Sequence, residues 1–326
     1  MGTSAGIRGE LDALQDVEIE RVADSGDLSG DLHASCTHLL ATRGKKLRSS
    51  IVLEAVKLGE ADPQLARAAA LACELFHIGT LAHDDVVDDG HVRRGEPTVV
   101  ARDGPIMAGL TAGWLFARSL EMIADCGDAA IARFVAGACE VCEGEMQDFE
   151  DFFDVTRTVE RYIDTIDKKT ASLLRLPATV GAILAGADDE TVELFKRYGY
   201  ELGLAFQISD DILDLSAPEA LTGKKRGIDL QQGVYTLPAI IAMERVPGLR
   251  DELSGGVSDA AVAGLVETIA ASGALEEATE VCKRHVAAAH HALEPVEFAD
   301  EVGKERLLAI ADYTVDRVFE LAERAA

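Results

Sequence analysis

The sequence predicts an all-α protein, and two observations support that fold class. The chain has 326 residues, of which 48% are hydrophobic but only 5% aromatic, and it is rich in Ala, Leu, Val and Glu. This composition favours a large helical core over a sheet. Several long stretches also carry apolar residues at the three- and four-residue spacing of a buried helix face. No Pro/Gly/Ser-rich linker or compositional break divides the chain, so we expect one domain over residues 1–326.

Taken in order, the chain predicts helices separated by short polar or glycine-rich segments. Residues 1–30 are acidic with scattered glycines, and we expect a loosely ordered or peripheral segment there, with one helix near 10–23. Further helices are expected near 31–42, 48–58, 63–89, 105–125, 128–150, 162–187 and 189–215. The stretch 221–233 predicts a loop, and the helical pattern after Pro238 is interpreted as scaffold.

The formal net charge is −27, which argues against a nucleic-acid partner and against an electrostatic membrane anchor. The N-terminus lacks the layout of a signal peptide, and no run of about 20 apolar residues is recognised as a membrane span. We therefore expect a cytoplasmic protein without a stable membrane anchor. The six cysteines are expected to be reduced and buried or half-buried, and Cys139-x-x-Cys142 lacks the second pair that a zinc site needs.

The most chemically distinctive stretch is LAHDDVVDDGHVRRGEPT, residues 81–98. Asp84 and Asp88 are four residues apart, as are Asp85 and Asp89, so each pair would share a helix face with its carboxylates roughly 5–6 Å apart. Two such charges repel by roughly 3 kcal/mol at an effective dielectric constant near 20, and a bound cation removes that repulsion. Oxygen ligands favour Mg²⁺, which proteins often hold with one or two carboxylates and substrate phosphates.

Arginines and a second aspartate cluster strengthen this interpretation. Arg93 and Arg94 follow the first cluster, and guanidinium groups bind phosphate oxygens bidentately. Residues 206–214, FQISDDILD, repeat the Asp-Asp-x-x-Asp spacing in Asp210, Asp211 and Asp214. A single acidic run is equally consistent with a solvated surface. Two runs on apolar helices that face each other would form a carboxylate-lined mouth.

Two basic segments are further candidates for phosphate binding. Lys45 and Arg48 belong to the cluster TRGKKLRSS, which opens the helix near 48–58, and a helix N-terminus beside cations is a phosphate site. An ordinary basic turn is the alternative. The loop 221–233 contains Lys224 and is able to close over phosphates.

The helix that enters the first cluster carries a face that leads into the core. Phe76, Gly79 and Thr80 lie eight, five and four residues before Asp84, all near that face. A mid-helix glycine costs roughly 1 kcal/mol relative to Ala, so Gly79 serves either close helix packing or an open cavity. His77, taken alone, is more often a core histidine than a ligand.

Six segments in one order make the chain resemble the trans-type polyprenyl (isoprenyl) diphosphate synthase family. They are RGKKLR at 43–48, ELFHIGTLAHDDVVDDGHVRRGEPT at 74–98, GEMQD at 144–148, KTASLL at 169–174, FQISDDILDL at 206–215 and GKKRGIDLQQGVYTLP at 223–238. Six segments in this order, over roughly residues 40–245, identify a family far more specifically than either aspartate cluster does alone. The resemblance implies an all-α, isoprenoid-synthase-type bundle around a deep central cavity, usually in a homodimer.

The same resemblance implies a reaction and a role for each site residue. The reaction is the condensation of isopentenyl diphosphate with dimethylallyl, geranyl or farnesyl diphosphate, which yields a longer all-trans product and pyrophosphate. A trinuclear Mg²⁺ cluster, replaceable by Mn²⁺, would have as principal ligands Asp84, Asp88 and Asp210, with support from Asp85, Asp211 and Asp214. The allylic diphosphate would be held by Arg93, Lys169 and Lys224. Isopentenyl diphosphate would be held by Lys45, Arg48, His77 and Arg94. Thr170 and Gln207 would lie beside the developing carbocation.

The chain departs from the family pattern in three places. Arg43, Lys46 and Ser49 replace the usual Gly, Arg and Pro of the basic segment, Val234 follows Gly233 where Lys is common, and Gly113 stands where Asp is frequent. None of these changes removes a candidate metal ligand. Because Gly79 and Thr80 are small and Phe76 lies one turn further down, we expect a product of geranylgeranyl size or longer.

Two other functions compete with chain elongation. A class I terpene cyclase also ionises an allylic diphosphate, but it needs no second diphosphate site such as the one implied for Lys45 and Arg48. A non-catalytic partner subunit usually lacks an aspartate cluster, and both clusters are intact here. Chain elongation is therefore the favoured hypothesis.

Overall fold

The structure is a computed structural model that describes residues 30–41, 44–93, 95–218 and 225–325, with side chains described up to residue 318. The helix expected near 10–23 lies outside these residues, as do Arg43, Arg94 and Lys224. Within the described ranges the chain is almost entirely helical, and its strands form one two-residue pair. The all-α expectation is confirmed.

The first half of the described chain contains six helices and a hairpin. The helices are α1 (Gly30–Ala41), α2 (Leu47–Ala55), α3 (Pro63–Val87), α4 (Val99–Asp103), α5 (Pro105–Ala124) and α6 (Asp128–Glu150). A 3₁₀ turn, Val56–Leu58, extends α2, and the antiparallel strands β1 (Val92–Arg93) and β2 (Glu96–Pro97) lie between α3 and α4. Helix α3 begins sharply because Asp62 Oδ1 accepts from Gln64 N at 2.7 Å and Pro63 occupies its first position.

The second half of the described chain contains nine helices, short and long, and one irregular turn. It comprises α7 (Val159–Ile166), a π-helical turn (Asp167–Ala171), α8 (Ser172–Leu184), α9 (Asp189–Ser216), α10 (Ile228–Gln232), α11 (Leu237–Arg245), α12 (Leu249–Ser254), α13 (Asp259–Ala271), α14 (Ala274–Leu293) and α15 (Glu301–Ala325). The helix expected over 162–187 is thus interrupted by a π turn, and the loop expected over 221–233 contains the short helix α10.

The chain forms two compact units. Unit 1 comprises the residues up to Val135 together with Pro177–Asp188 and Phe298–Gly303. In unit 1, α3 packs along α5 and against α2. Each of these three helices contributes a fully buried side chain: Ile51 from α2, Leu75 from α3 and Leu115 from α5. This packing fixes the direction in which α3 presents its C-terminal end. The single domain over residues 1–326 stays a prediction.

Unit 2 comprises Ala136–Leu176, Asp189–Glu297 and the residues from Lys304 onward. Here α9 packs along α14 and also against the π turn. Tyr198 is fully buried on α9, and its hydroxyl donates to Leu307 O at 2.7 Å, which ties α15 to α9. Helix α9, which carries the second aspartate cluster, is therefore held against the π turn, α14 and α15.

The structure bears on two further expectations, the absence of a membrane-spanning helix and the burial of the cysteines. Helix α3 is long and apolar enough, by length and composition, to cross a membrane, but 67% of its apolar window is buried inside the protein. A core helix passes the same test, so α3 is weak evidence of a span. Cys36, Cys73, Cys126 and Cys282 are buried as expected, whereas Cys139 and Cys142 are exposed, because both lie on the outer face of α6.

Candidate active site

The first aspartate cluster lies where α3 ends. The helix stops at Val87, Asp88 caps it with its N–H on Asp84 O at 2.8 Å, and Asp89 has a left-handed φ of 50°. Asp84 is half-buried, whereas Asp88 and Asp89 are exposed. The helix face expected to carry Asp85 and Asp89 together therefore does not form, since the backbone leaves the helix before Asp89.

Asp85 differs from its neighbours because it is buried and paired. It is 3% exposed, and its Oδ1 accepts from Arg93 Nε at 2.9 Å and lies 2.8 Å from Arg93 Nη2. Arg93 belongs to the β1–β2 hairpin, whose base is closed by the Thr98 hydroxyl donating to Gly90 O at 2.6 Å. The ion pair fixes the hairpin and its arginine over the end of α3.

The basic segment at the start of α2 is held by a carboxylate. Lys46 has a left-handed φ of 52°, Lys45 is exposed and Arg48 is buried. Ser49 donates from both its N–H and its hydroxyl to Glu74 Oε2, at 3.2 and 3.0 Å. Proline, which is usual at position 49, has no N–H and cannot make the backbone hydrogen bond to Glu74. The Ser49–Glu74 pair is therefore particular to this chain's basic segment. The sequence analysis did not single out Glu74.

Aromatic rings fill the space below the first cluster. Phe76 is 5% exposed, and its ring centroid lies 5.1 Å from that of Phe116 and 5.5 Å from that of Phe134. A Cβ on Gly79 would lie 2.7 Å from Phe116 Cε1. Gly79 therefore serves close packing. Thr80 is also buried, and its hydroxyl donates to His77 O at 2.8 Å beside the half-buried His77.

The second aspartate cluster lies near the end of α9 and again contains one buried member. Asp211 is 2% exposed, and it accepts from the hydroxyl of Tyr162 and from Gln207 Nε2 at 2.8 Å. Burial raises the pKa of Asp211 to about 7, although the hydrogen bonds from Tyr162 and Gln207 oppose that rise. Asp210 and Asp214 are more accessible.

Gln207 links this cluster to the π turn. Its Oε1 accepts from the Thr170 hydroxyl at 2.7 Å, while its Nε2 donates to Asp211. The two bonds give the amide one orientation, with its oxygen toward Thr170. Thr170 and Gln207, which the family resemblance pairs in one role, are therefore in contact.

Lys169 is the other candidate side chain on the π turn. Its Nζ lies 3.0 Å from Glu145 Oε2 and 2.8 Å from Asp148 Oδ2. The backbone there approaches α6 so closely that a Cβ on Gly144 would lie 2.2 Å from Lys169 N. π-Helical turns are frequent at functional sites because they re-aim side chains, and here two neighbours point to different helices.

Arg317 on α15 was missed by the sequence analysis, which treated the chain after Pro238 as scaffold. Its Nη1 lies 2.7 Å from Asp210 Oδ1. No local motif surrounds Arg317, and 107 positions separate it from Asp210. The signal available in the sequence was only an arginine on the apolar side of a late helix.

The candidate ligands fit a divalent cation of the hard type. Asp84, Asp88, Asp210 and Asp214 supply carboxylate oxygens, and Asp210 retains 45% of its side-chain exposure. Over the described ranges no three His, Cys, Asp or Glu side chains are already grouped to hold a metal. Mg²⁺ commonly takes only one or two carboxylates and completes its shell with substrate phosphates and water, so the accessible carboxylates of each cluster, taken by itself, suit this ion.

Comparison with known proteins identifies the family. The family model described as polyprenyl synthetase matches residues 30–263. The chain belongs to the polyprenyl synthetase family. It is 34% identical over 304 residues to heptaprenyl diphosphate synthase component 2 of Geobacillus stearothermophilus, covering 92% of this chain and 94% of that protein. Members of this family are prenyltransferases, and this enzyme is a polyprenyl diphosphate synthase by family.

Solved structures of family members have the same fold. A decaprenyl diphosphate synthase from Rhodobacter capsulatus matches with a TM-score of 0.88 and 29% identity, over 97% of this chain and 98% of that one. A polyprenyl synthase from Caulobacter crescentus, complexed with calcium and isoprenyl diphosphate, matches with a TM-score of 0.85 and 29% identity, over 94% and 97% of the two chains. The calcium and the isoprenyl diphosphate are ligands of that Caulobacter protein.

Proposed function

We propose that this synthase catalyses the Mg²⁺-dependent head-to-tail condensation of isopentenyl diphosphate with an allylic diphosphate. One observation carries the proposal. In each aspartate cluster the second aspartate is buried and hydrogen-bonded, Asp85 by Arg93 and Asp211 by Tyr162 and Gln207, while the first, Asp84 or Asp210, is more accessible. The buried aspartate of each cluster is therefore suited to fixing the end of its helix, and the accessible aspartate is suited to binding a cation.

Two of the candidate phosphate-binding side chains are partly accessible and already paired. Arg93 and Lys169 are both 27–30% exposed in their side chains and already paired with carboxylates. Such pairs keep the cations oriented until a diphosphate offers a stronger anionic partner. We propose that Arg93, Lys169 and Lys224 bind the allylic diphosphate, and that Lys45, Arg48, His77 and Arg94 bind isopentenyl diphosphate.

The bond changes follow from this arrangement. The allylic C1–O bond breaks, its electron pair leaves with the diphosphate, and the double bond of isopentenyl diphosphate attacks C1. A proton is then lost from C2 of the former isopentenyl unit to the departing pyrophosphate. Bound Mg²⁺, with Mn²⁺ as a substitute, stabilises the negative charge that develops on the leaving group. The side-chain oxygens of Gln207 and Thr170 direct the negative ends of their dipoles toward the allylic carbocation. Apolar side chains around it exclude water.

The product length is proposed from the aromatic cluster below Asp84. Phe76, Phe116 and Phe134 pack against one another, and Phe116 fills the space beside Gly79. We propose that these rings close the cavity and allow a product of geranylgeranyl size or longer. Phe116, which is only half-buried, is the ring best able to move.

A homodimer is proposed from an exposed apolar stripe on α6. Val135, Met146 and Phe149 have 44%, 60% and 57% of their surface exposed. At alternating three- and four-residue spacing the stripe consists of Ala132, Val135, Cys139, Cys142, Met146 and Phe149. That spacing is the seam of two packed helices, and a second copy supplies the matching stripe by two-fold symmetry. A cytoplasmic dimer without a membrane anchor is the proposed state.

The test is incubation of the purified protein with Mg²⁺, labelled isopentenyl diphosphate and one allylic starter at a time, followed by sizing of the dephosphorylated products. Elongated prenyl alcohols would support the proposal and reveal the starter and the chain length. Cyclic hydrocarbon formed without isopentenyl diphosphate would assign a class I terpene cyclase instead. Absence of turnover with dimethylallyl, geranyl and farnesyl diphosphate would favour a partner subunit.

A further inference from the structure

The side chain of Arg317 is built into the second aspartate cluster from outside the family motifs. Arg317 is 7% exposed. Its Nη2 donates to Phe206 O at 2.7 Å and its Nε to Ser209 Oγ at 2.7 Å. The guanidinium carbon lies 4.2 Å from the centroid of the Phe206 ring, within the range of a cation–π contact. These contacts fix the guanidinium on the surface of α9 from a different helix.

The fixed guanidinium determines where the carboxylate of Asp210 lies. Asp210 Oδ1 is 2.7 Å from Arg317 Nη1, and the Asp210 side chain is 45% exposed while that of Arg317 is 8% exposed. The buried partner has several contacts and the accessible partner is able to rotate. Because a guanidinium stays charged at any working pH, Asp210 always has a cation beside it.

The two aspartate clusters therefore use their arginines differently. In the first cluster Arg93 pairs with the buried Asp85. In the second cluster Arg317 pairs with Asp210, the aspartate that the proposed function assigns to metal binding. A cation that shares a carboxylate with a divalent ion opposes the binding of that ion. The additional negative charge of a diphosphate offsets this opposition.

We propose that Arg317 is a positioning residue and internal counter-cation, which orients Asp210 and keeps its affinity for a divalent cation low until a diphosphate is present. The inference rests on the proposed function of Asp210. It makes capture of the cation and capture of the diphosphate mutually dependent. One unit charge at a few Å in a water-like dielectric changes the affinity for a divalent ion by on the order of tenfold.

The test is a Mn²⁺ titration followed by electron paramagnetic resonance on the full chain, with and without inorganic pyrophosphate. The Asp210→Asn variant identifies the part of the bound Mn²⁺ that depends on Asp210. Without pyrophosphate, Arg317→Gln is expected to bind that Mn²⁺ about tenfold more tightly than the wild type. With pyrophosphate the difference is expected to shrink, and kcat of Arg317→Gln is expected to fall because Asp210 is no longer oriented.

Arg317→Lys is the matched variant, because it keeps the charge and loses the guanidinium contacts. Its Mn²⁺ affinity is expected to equal that of the wild type while its kcat falls, and this result carries the test even if Arg317→Gln fails to fold. Arg245→Gln, which removes an arginine from an exposed pair with Glu277, is expected to change neither quantity.

The proposal is overturned if Arg317→Gln binds Mn²⁺ with unchanged or lower affinity, or if Arg317→Lys binds it more weakly. Either result would mean that Arg317 only stabilises the fold. If the wild type binds no Mn²⁺ with pyrophosphate, or if Asp210→Asn binds as much as the wild type, the metal assignment in the proposed function fails as well. The two failures are therefore distinguishable by the behaviour of Asp210→Asn.

Discussion

Lys169 Nζ lies 2.8 Å from Asp148 Oδ2, and Asp148 Oδ1 accepts from Arg157 Nη2 at 3.1 Å. One carboxylate thus holds a partly exposed cation and a buried one, since the Lys169 side chain is 27% exposed and Arg157 is only 3% exposed. Burial raises the pKa of Asp148, but the charges of Lys169 and Arg157 outweigh it, so the pKa lies below its ordinary value of 3.8. Lys169 is therefore placed by a carboxylate that is ionised at neutral pH.

Asp148→Asn is expected to destabilise the protein at pH 7 by about 1–3 kcal/mol, because Arg157 loses one of its two carboxylate partners and keeps Asp151, whose Oδ2 lies 3.2 Å from its Nε. The pKa of Asp148 is lowered on folding, so its stabilising contribution is present above 3.8 and is lost as the pH falls through the lowered value. Urea unfolding between pH 7 and pH 3 checks this. The two proteins should converge in acid, whereas a constant difference would contradict the assignment. Glu150→Gln, at the exposed rim, serves as the control.

Asp84→Ala and Asp210→Ala are each expected to lower kcat by at least about 10²-fold, because the developing charge on the leaving group loses a stabilising partner. The measurement is Mg²⁺-dependent turnover with isopentenyl diphosphate and an allylic starter. Asp125→Ala, an exposed aspartate at the end of α5, is the matched control and should retain full activity. Near-normal rates in either cluster variant would refute the metal assignment.

Phe116→Ala is expected to lengthen the product by one or more isoprene units, because it removes the ring that packs on Phe76 and Gly79. It should also lower the free energy of unfolding by about 3 kcal/mol. Chromatography of the dephosphorylated products is the measurement. Phe195→Leu, in the core of unit 2, should reduce stability with no change of product length. If both variants shift the product equally, Phe116 does not set its length.

Ser49→Pro introduces the residue usual in the family and is expected to cost about 1–3 kcal/mol, since buried Glu74 loses two hydrogen bonds. The KM for isopentenyl diphosphate should rise more than the KM for the allylic substrate. Combined with Glu74→Ala, the change should cost less than the sum of the single variants, as a double-mutant cycle would measure. Ser50→Ala, one position further along α2, tests for a general effect on the helix; additive costs would contradict the coupling.

Val135→Glu and Met146→Glu are each expected to convert the proposed homodimer to monomer, because a charge in the centre of an apolar seam is desolvated without a partner. Light scattering coupled to size-exclusion chromatography measures the mass. Lys196→Glu, on the exposed face of α9, should leave the mass unchanged. A monomeric wild type would rule out the homodimer.

Local patterns in the sequence were sufficient for the fold class and for placing both aspartate clusters on helices. The sequence predicts a helix near 63–89 that carries Asp84, Asp85 and Asp88, and in the structure this helix ends at Val87, with Asp88 as its cap. What the spacing could not reveal was which aspartate is buried, because that depends on partners elsewhere in the chain. Asp85 is buried by a hairpin eight residues later, and Asp211 by a tyrosine from another helix.

Long-range contacts also decided the questions that the sequence left open. Gly79 was consistent with close packing or with a cavity, and only the position of the Phe116 ring distinguishes them. Arg317 lies in no motif, so its pairing with Asp210 depends on how α15 is laid against α9. The π turn at Asp167–Ala171 was equally hidden, since its residues fit an ordinary helix.

That π turn has a consequence for how the enzyme is able to change over evolutionary time. A regular helix advances about 100° per residue, so an extra residue accommodated in one turn shifts the angular phase of all that follows. Lys169 contacts α6 and Thr170 contacts α9 because of that phase. Substitutions within 167–171 leave the phase intact, whereas loss of a single residue would rotate the cationic side chain of Lys169 and the hydroxyl of Thr170 away from their partners at once. Insertions and deletions should therefore be far rarer in this segment than amino-acid replacements.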